Sequence, residues 1–252
     1  MPDWSSLDPV ERSCAMTLLW RAAESNCRQR LFSDPVAEQV AAALPPWPSS
    51  VSSRAFADIV TVRTWQMDAE VATALGAGLS QIVVLGAGLD TRFWRIEPPA
   101  CARIIEVDSG AVNQFARRLL PNGGRGRRVE ARIPYGLARA LSQAAHDPRQ
   151  PTLWIAEGVL EYLPGRMWDR LIRVLTEQSA PASMALITVL GASLPERFAH
   201  DPAFPFPRLP SISRILSSIP KGWEMDVLPA PMLRGVAPDA FSVLSIHLRD
   251  SG

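Results

Sequence analysis

The spacing of apolar positions changes part-way along this chain. Between residues 8 and 77 they recur at helical steps. Ala15, Leu18, Leu19, Ala22 and Ala23 share one face, and Phe56, Ile59, Val60, Met67 and Val71 form a second stripe. Ser33-Asp34-Pro35 reads as a helix start, with a polar cap and proline in the first turn. Pro45-Pro46-Trp47-Pro48 interrupts the pattern, and a third helix runs from about Ser53 to Leu75. From residue 81 short apolar runs take over. They predict strands at 81–86, 102–107, 127–131, 152–156, 182–190, 223–228 and 241–249. Helical or loop stretches separate the first five, as βαβ units require. Ala182 to Leu190 is nearly all apolar, which suits a central strand buried on both faces. The last two have no helix between them and fit an antiparallel hairpin at the sheet edge. The expected organisation is an N-terminal helical segment over 1–78 and an α/β core over 79–252.

The stretch 191–240 has a different composition. It holds nine of the 23 prolines together with Phe198, Phe204 and Phe206, and so cannot be one regular helix. It reads as a cap over the sheet, inserted at about 191–222, with a short helix near Ser211–Ser218.

Composition narrows the classes. An apolar content of 47% over 252 residues is ample for one core. A net charge of +1 gives no electrostatic case for nucleic acid or a membrane surface. Five arginines lie between Arg117 and Arg128, but a Pro-Asn-Gly-Gly loop accounts for them as a solvated segment. Cys14, Cys27 and Cys101 lack metal-ligand spacing, and an odd count reads as reduced thiols. The N-terminus lacks the basic and apolar regions of a secretion signal, and no run of about twenty apolar residues exists. A cytoplasmic location is expected.

The chemistry-bearing segment is Val84-Leu85-Gly86-Ala87-Gly88-Leu89-Asp90-Thr91-Arg92, followed by the acid-ended run Glu106-Val107-Asp108. Glycines let the backbone approach a ligand closely. A carboxylate at the next strand end can take two ribose hydroxyls. Gly86, Gly88 and Asp90 are therefore candidates for contact with a nucleoside-containing ligand, and either Glu106 or Asp108 for its ribose. Thr91 stands where a dinucleotide fingerprint carries Gly or Ala. That disfavours a pyrophosphate, and a dehydrogenase with it. S-adenosyl-L-methionine (SAM) has adenosine and a methionine tail but no phosphate, and it fits.

Arg63 lies within an apolar stripe, and a buried charge needs a partner. The carboxylate of SAM would serve; so would Asp90, Glu157 or another acid. Glu157-Gly158 ends the fourth strand, where ligands sit in open α/β sheets. Glu157 either faces the ligand or caps the segment starting at Val159.

Several pieces together resemble the leucine carboxyl methyltransferase family, in its bacterial branch of SAM-dependent O-methyltransferases. They are Leu31-Phe32-Ser33-Asp34-Pro35, Val62-Arg63-Thr64, the glycine motif, Glu106-Val107-Asp108, and Ala156-Glu157-Gly158-Val159-Leu160-Glu161-Tyr162-Leu163. The similarity covers roughly residues 12–190. The resemblance implies a class I methyltransferase fold, Rossmann-like, with a mostly parallel seven-stranded sheet. It also implies that Arg63 binds the SAM carboxylate, that Asp108 holds the ribose, and that Gly86 and Glu157 complete the site. Two departures stand out. Arg132-Ile133 occupies the place of an Asp-Leu pair whose Asp contacts the adenine amino group, and an arginine cannot accept that bond. Trp65 replaces a second arginine found in many relatives.

A carboxylate acceptor needs no general base, whereas a phenol benefits from one. Of the three histidines, His146 is expected in a surface loop, His247 in the edge strand and His200 in the cap. His200 is the candidate base, and Tyr162 a candidate for positioning the acceptor. The expected activity is methyl transfer to a carboxylate or hydroxyl of a small, largely apolar molecule, as in polyketide biosynthesis. The competing reading is a repurposed fold that binds SAM or another ligand without methylating.

Overall fold

The structure is a computed structural model and describes residues 7–44, 51–191, 194, 215 and 217–248. Asp8 starts α1 (Pro9–Ser25) with a capping box. Its carboxylate accepts from the Val10 and Glu11 amides, both at 2.8 Å, and the Glu11 side chain reaches back to the Asp8 amide. Asp34 caps α2 (Pro35–Ala41) through the Ala37 amide at 2.9 Å, as the Ser-Asp-Pro signal predicts. α3 spans Val51–Gly76.

The core then alternates β1 (Gln81–Leu85), α4 (Arg92–Arg95), β2 (Arg103–Asp108), α5 (Gly110–Leu119), β3 (Arg127–Glu130), α6 (Leu137–Gln143), β4 (Thr152–Ala156), α7 (Gly165–Glu177) and β5 (Met184–Leu190). β6 (Trp223–Pro229) and β7 (Phe241–Leu248) follow. The sheet order is β3-β2-β1-β4-β5-β7-β6, with β1 to β5 parallel and β7 antiparallel to both neighbours. This is the class I methyltransferase arrangement, and all seven expected strands are present.

The period of two along each strand sorts side chains between two cores. Ile82, Val84, Leu153, Ile155 and Leu186 point to the face covered by α3, where Phe56, Ile59, Val60, Met67 and Val71 meet them. Val83, Leu85, Trp154, Ala185 and Ile187 point to the opposite face, against Leu137, Leu141, Trp168 and Leu171 of α6 and α7. Each fully buried aliphatic side chain contributes about 1.5–3 kcal/mol. α3 therefore shares the sheet's core and carries Arg63 into it, whereas Ala15, Leu18 and Ala22 of α1 and Ala37 and Val40 of α2 pack a third cluster with Leu89, Phe115 and Leu120.

Two expectations are corrected. β6 and β7 form the expected antiparallel hairpin at the sheet edge, but His247 is not in the edge strand, because β7 lies inside the sheet and β6 forms the edge. The reason is visible in their faces: Phe241 to Ile246 are all buried, whereas β6 alternates and exposes Glu224 and Asp226. His146 lies in the loop between α6 and β4, as expected, but its side chain turns inward. It is 7% exposed, packs its ring 5.4 Å from that of Trp154, and bonds Thr152 Oγ1 at 3.1 Å. Burial depresses its pKa to about 4 and keeps it neutral. Among the described residues no helix is long and apolar enough to cross a membrane.

Candidate functional site

The turn after β1 sets the floor of the site. Gly86 and Gly88 adopt φ of +60° and +47°, conformations that cost little only without a Cβ. A side chain on Gly86 would also lie 2.7 Å from Val159 Cγ2. The Gly88 amide donates to Asp108 Oδ2 at 2.8 Å and the Ser109 amide to Oδ1 at 2.7 Å. Burial pushes the Asp108 carboxyl up, and these two amides oppose it. Each oxygen keeps a free lone-pair direction, so the group could take a pair of vicinal hydroxyls.

Glu106 is placed differently. It pairs with Arg128 at 2.8 Å, accepts from the Gly126 amide at 3.1 Å, and is absent from the cavity wall. Period-two spacing puts it on the same face as Asp108. However, Arg128 stands opposite it in register on β3 and captures it.

Thr91 is fully buried, and its hydroxyl donates to the Asp34 carboxylate. The larger residue in place of Gly or Ala thus ties the glycine turn to the cap of α2. From there a charged cluster extends beneath the cavity. Asp34 also meets Arg21 at 3.3 Å and Arg95 at 3.0 Å. Asp68 meets Arg92 at 2.9 Å and Arg95 at 2.5 Å. Arg92, only 2% exposed, also pairs with Asp90 at 3.4 Å and with Glu157. Arg63 donates from Nε to Glu157 Oε1 at 3.1 Å, and Thr64 Oγ1 to the same oxygen at 3.3 Å. Burial alone would raise the Glu157 pKa, but the Arg92 and Arg63 guanidiniums outweigh it and hold it at about 2.

The cavity above has a volume of about 410 Å³, within the usual range for small-molecule sites. Arg63, Gly86, Gly88, Asp90, Asp108, Glu157 and Tyr162 all border it. Tyr162 bonds the Ser13 hydroxyl of α1 at 2.8 Å, and partial burial pushes its phenol up. Arg132 and Tyr135 border the end beyond β3, with Arg170 stacked 4.5 Å over the Tyr135 ring. His200 lies outside the described residues.

Three wall residues escape the sequence reading. Arg92 opens Arg-Phe-Trp-Arg, directly after Asp90-Thr91. Glu161 interrupts Val159-Leu160 and Tyr162-Leu163, and is 1% exposed. The criterion that singles out Arg63, a charge within an apolar run, also applies to Glu161. Cys14 borders Gly88; burial first, and then the Asp108 charge, push its thiol up to about 12.

The residues fit SAM: a glycine cradle, a ribose-ready carboxylate and a buried guanidinium face one cavity of suitable size. Comparison with known proteins agrees. The family model described as leucine carboxyl methyltransferase matches residues 14–176. The chain belongs to the leucine carboxyl methyltransferase family. A Streptomyces avermitilis protein named as an S-adenosyl-L-methionine-dependent methyltransferase is 34% identical over 202 residues, 73% of this chain and 70% of that one. A Frankia alni protein of the same naming is 34% identical over 203 residues, with 73% and 70% covered. Among solved structures, a DUF574 family protein from Streptomyces avermitilis superposes with a TM-score of 0.61 at 16% identity, over 94% of this chain and 97% of that one. A Thermobifida fusca structure titled as a methyltransferase gives 0.59 at 15% identity, over 94% of each chain. These two establish the fold. Family membership and the named relatives make the protein a SAM-dependent methyltransferase.

Proposed function

We propose that this family member methylates an oxygen of a small, largely apolar molecule in natural-product biosynthesis, and that the oxygen belongs to a carboxylate. In this reading Arg63 holds the methionine carboxylate of SAM, Gly86, Gly88 and Asp90 line its path, and Asp108 binds the ribose. Glu157, clamped by two arginines, orients Arg63. Bound there, SAM supplies a methyl group already activated on a sulfonium. The chain's residues then have to position the acceptor and exclude water.

The observation that carries the choice of acceptor is the state of Tyr162. Its phenol is pushed up and engaged with Ser13, which suits it to orient an acceptor rather than take a proton from one. A carboxylate is ionised at neutral pH and needs no base. The family's own description, naming a carboxyl group, supports the same reading.

The test uses SAM labelled in the methyl group and a panel of apolar carboxylic acids and phenols. Carboxyl methylation gives esters that release labelled methanol in mild base. Base-stable ether products, or turnover of phenols alone, would overturn the carboxylate assignment.

The two acids of β2 separate cleanly in a binding experiment. Asp108→Ala is expected to weaken S-adenosylhomocysteine binding by about a hundredfold, from loss of charge-assisted bonds to both ribose hydroxyls. Glu106→Gln is expected to leave binding within about threefold and to lower thermal stability, since it breaks the pair with Arg128. Calorimetric titration and a melting curve on each variant check this. The reverse pattern would return the ribose to Glu106.

A further inference from the structure

We propose that Glu161, and not Glu157, is the counter-ion for the α-ammonium group of bound SAM. The proposal rests on the SAM site assigned above and names a residue within it.

Glu157 is the obvious candidate by position, at the end of β4, but its capacity is spent. Oε1 accepts from Arg63 and Thr64, and Oε2 from Arg92. Two guanidiniums already neutralise its charge, so little field remains for a ligand cation. Asp90 is similarly occupied: Oδ1 accepts the Arg92 amide at 2.7 Å and Oδ2 lies 3.4 Å from the Arg92 guanidinium. Asp108 is committed to the ribose end, where it holds the Gly88 and Ser109 amides.

Glu161 differs from all three. It lies in the one-turn 3₁₀ helix Leu160–Tyr162, which packs against β5, and borders the same cavity. It is 1% exposed, and neither carboxylate oxygen closes a hydrogen bond. Burying a carboxyl group without a partner is costly, and a native protein that keeps one usually reserves it for something that binds. Burial accordingly pushes Glu161 up. Arg63 is the leading positive charge acting against that, and the nearby amides of Glu161 itself and Leu190 add less. That arginine matters for the assignment. In an amino acid the ammonium and carboxylate share one carbon atom. The counter-ion for the ammonium must therefore share the cavity wall with the guanidinium that takes the carboxylate, and Glu161 and Arg63 border the same cavity. The ligand would bring the charge that this acid lacks.

The experiment is a two-by-two titration calorimetry cycle. Wild-type protein and E161Q are each titrated with S-adenosylhomocysteine and with 4-(adenosylthio)butanoate, which lacks only the amino group. Wild-type protein is expected to prefer S-adenosylhomocysteine by about tenfold or more, the usual scale of a charged hydrogen bond. E161Q is expected to lose that preference while binding the deaminated analogue within about threefold of wild type. E161D should recover part of the preference.

Equal affinity of wild-type protein for both ligands would overturn the proposal, and that comparison does not depend on E161Q folding. Loss of both ligands to the same degree in E161Q would also overturn it, by making Glu161 structural. Failure of wild-type protein to bind either nucleoside would bring down the SAM-site reading itself, a separate and recognisable result.

Discussion

Replacing Arg92 with methionine is expected to destabilise the fold by about 3–5 kcal/mol, the cost of removing one partner from a buried ionic cluster. Methionine replaces much of the side-chain volume, so the loss is electrostatic rather than a cavity. Arg92 is 2% exposed and faces Asp68, Asp90 and Glu157. Without it Asp68 keeps Arg95 and Glu157 keeps Arg63, but Asp90 loses its guanidinium. For a chain of this size the melting temperature should fall on the order of 10 °C. The effect carries a pH signature. Glu157 has a folded pKa of about 2 against an ordinary 4.5. A depressed carboxylate stabilises the fold above its unfolded pKa, and that contribution disappears as pH falls from 4.5 through 2. It amounts to about 3 kcal/mol. In the variant Glu157 loses the strongest of its three compensating cations, Arg92, Arg63 and Arg21, so its folded pKa rises and the pH dependence over this window flattens. Urea denaturation of both proteins at pH 7, 4.5 and 3 checks both parts. A variant as stable as wild type at pH 7 would mean that the cluster contributes nothing net.

The strands were legible because their signal is local. Most are short apolar runs bounded by glycine, proline or charge, although β3 (Arg127–Glu130) holds only Val129 as an apolar residue, and β5 announces its burial by composition. The position of β7 was not legible from the hairpin pattern alone, because either arm of a hairpin can lie inside. The distinction rests on Glu224 and Asp226, which mark β6 as the edge strand. The site was legible where one segment supplies it, as with Gly86, Gly88 and Asp108. It was obscure where the deciding partner is distant in sequence. Thr91 is explained by Asp34, 57 residues earlier, and Glu106 is removed from the site by Arg128, its cross-strand neighbour. From sequence, Arg63 fits either a ligand or an acid as its partner. It is paired with Glu157 through Nε, while its terminal nitrogens approach Gly158 at the cavity wall: a Cβ built on that glycine would sit 3.2 Å from Nη2. The two alternatives are therefore compatible.

That double geometry makes Arg63→Ala the sharpest test of the binding site. Loss of S-adenosylhomocysteine binding by about a hundredfold or more is expected, since truncating one side of a buried charged contact costs about 2–5 kcal/mol. The fold should survive, because Glu157 retains Arg92. A melting curve close to wild type alongside lost binding would separate a ligand contact from a structural one. Arg63→Lys sharpens the distinction. A single ammonium can pair with Glu157 or with the ligand carboxylate, but it lacks the planar fork needed to hold one on each edge. Lysine should therefore keep the stability of wild type while recovering only part of the affinity. Near-normal affinity in Arg63→Ala would place the methionine end of SAM elsewhere in the cavity and leave Arg63 as the structural partner of Glu157. Loss of stability and affinity in parallel across Ala and Lys would also make Arg63 structural, because a residue that merely holds Glu157 in place cannot lose one property without the other.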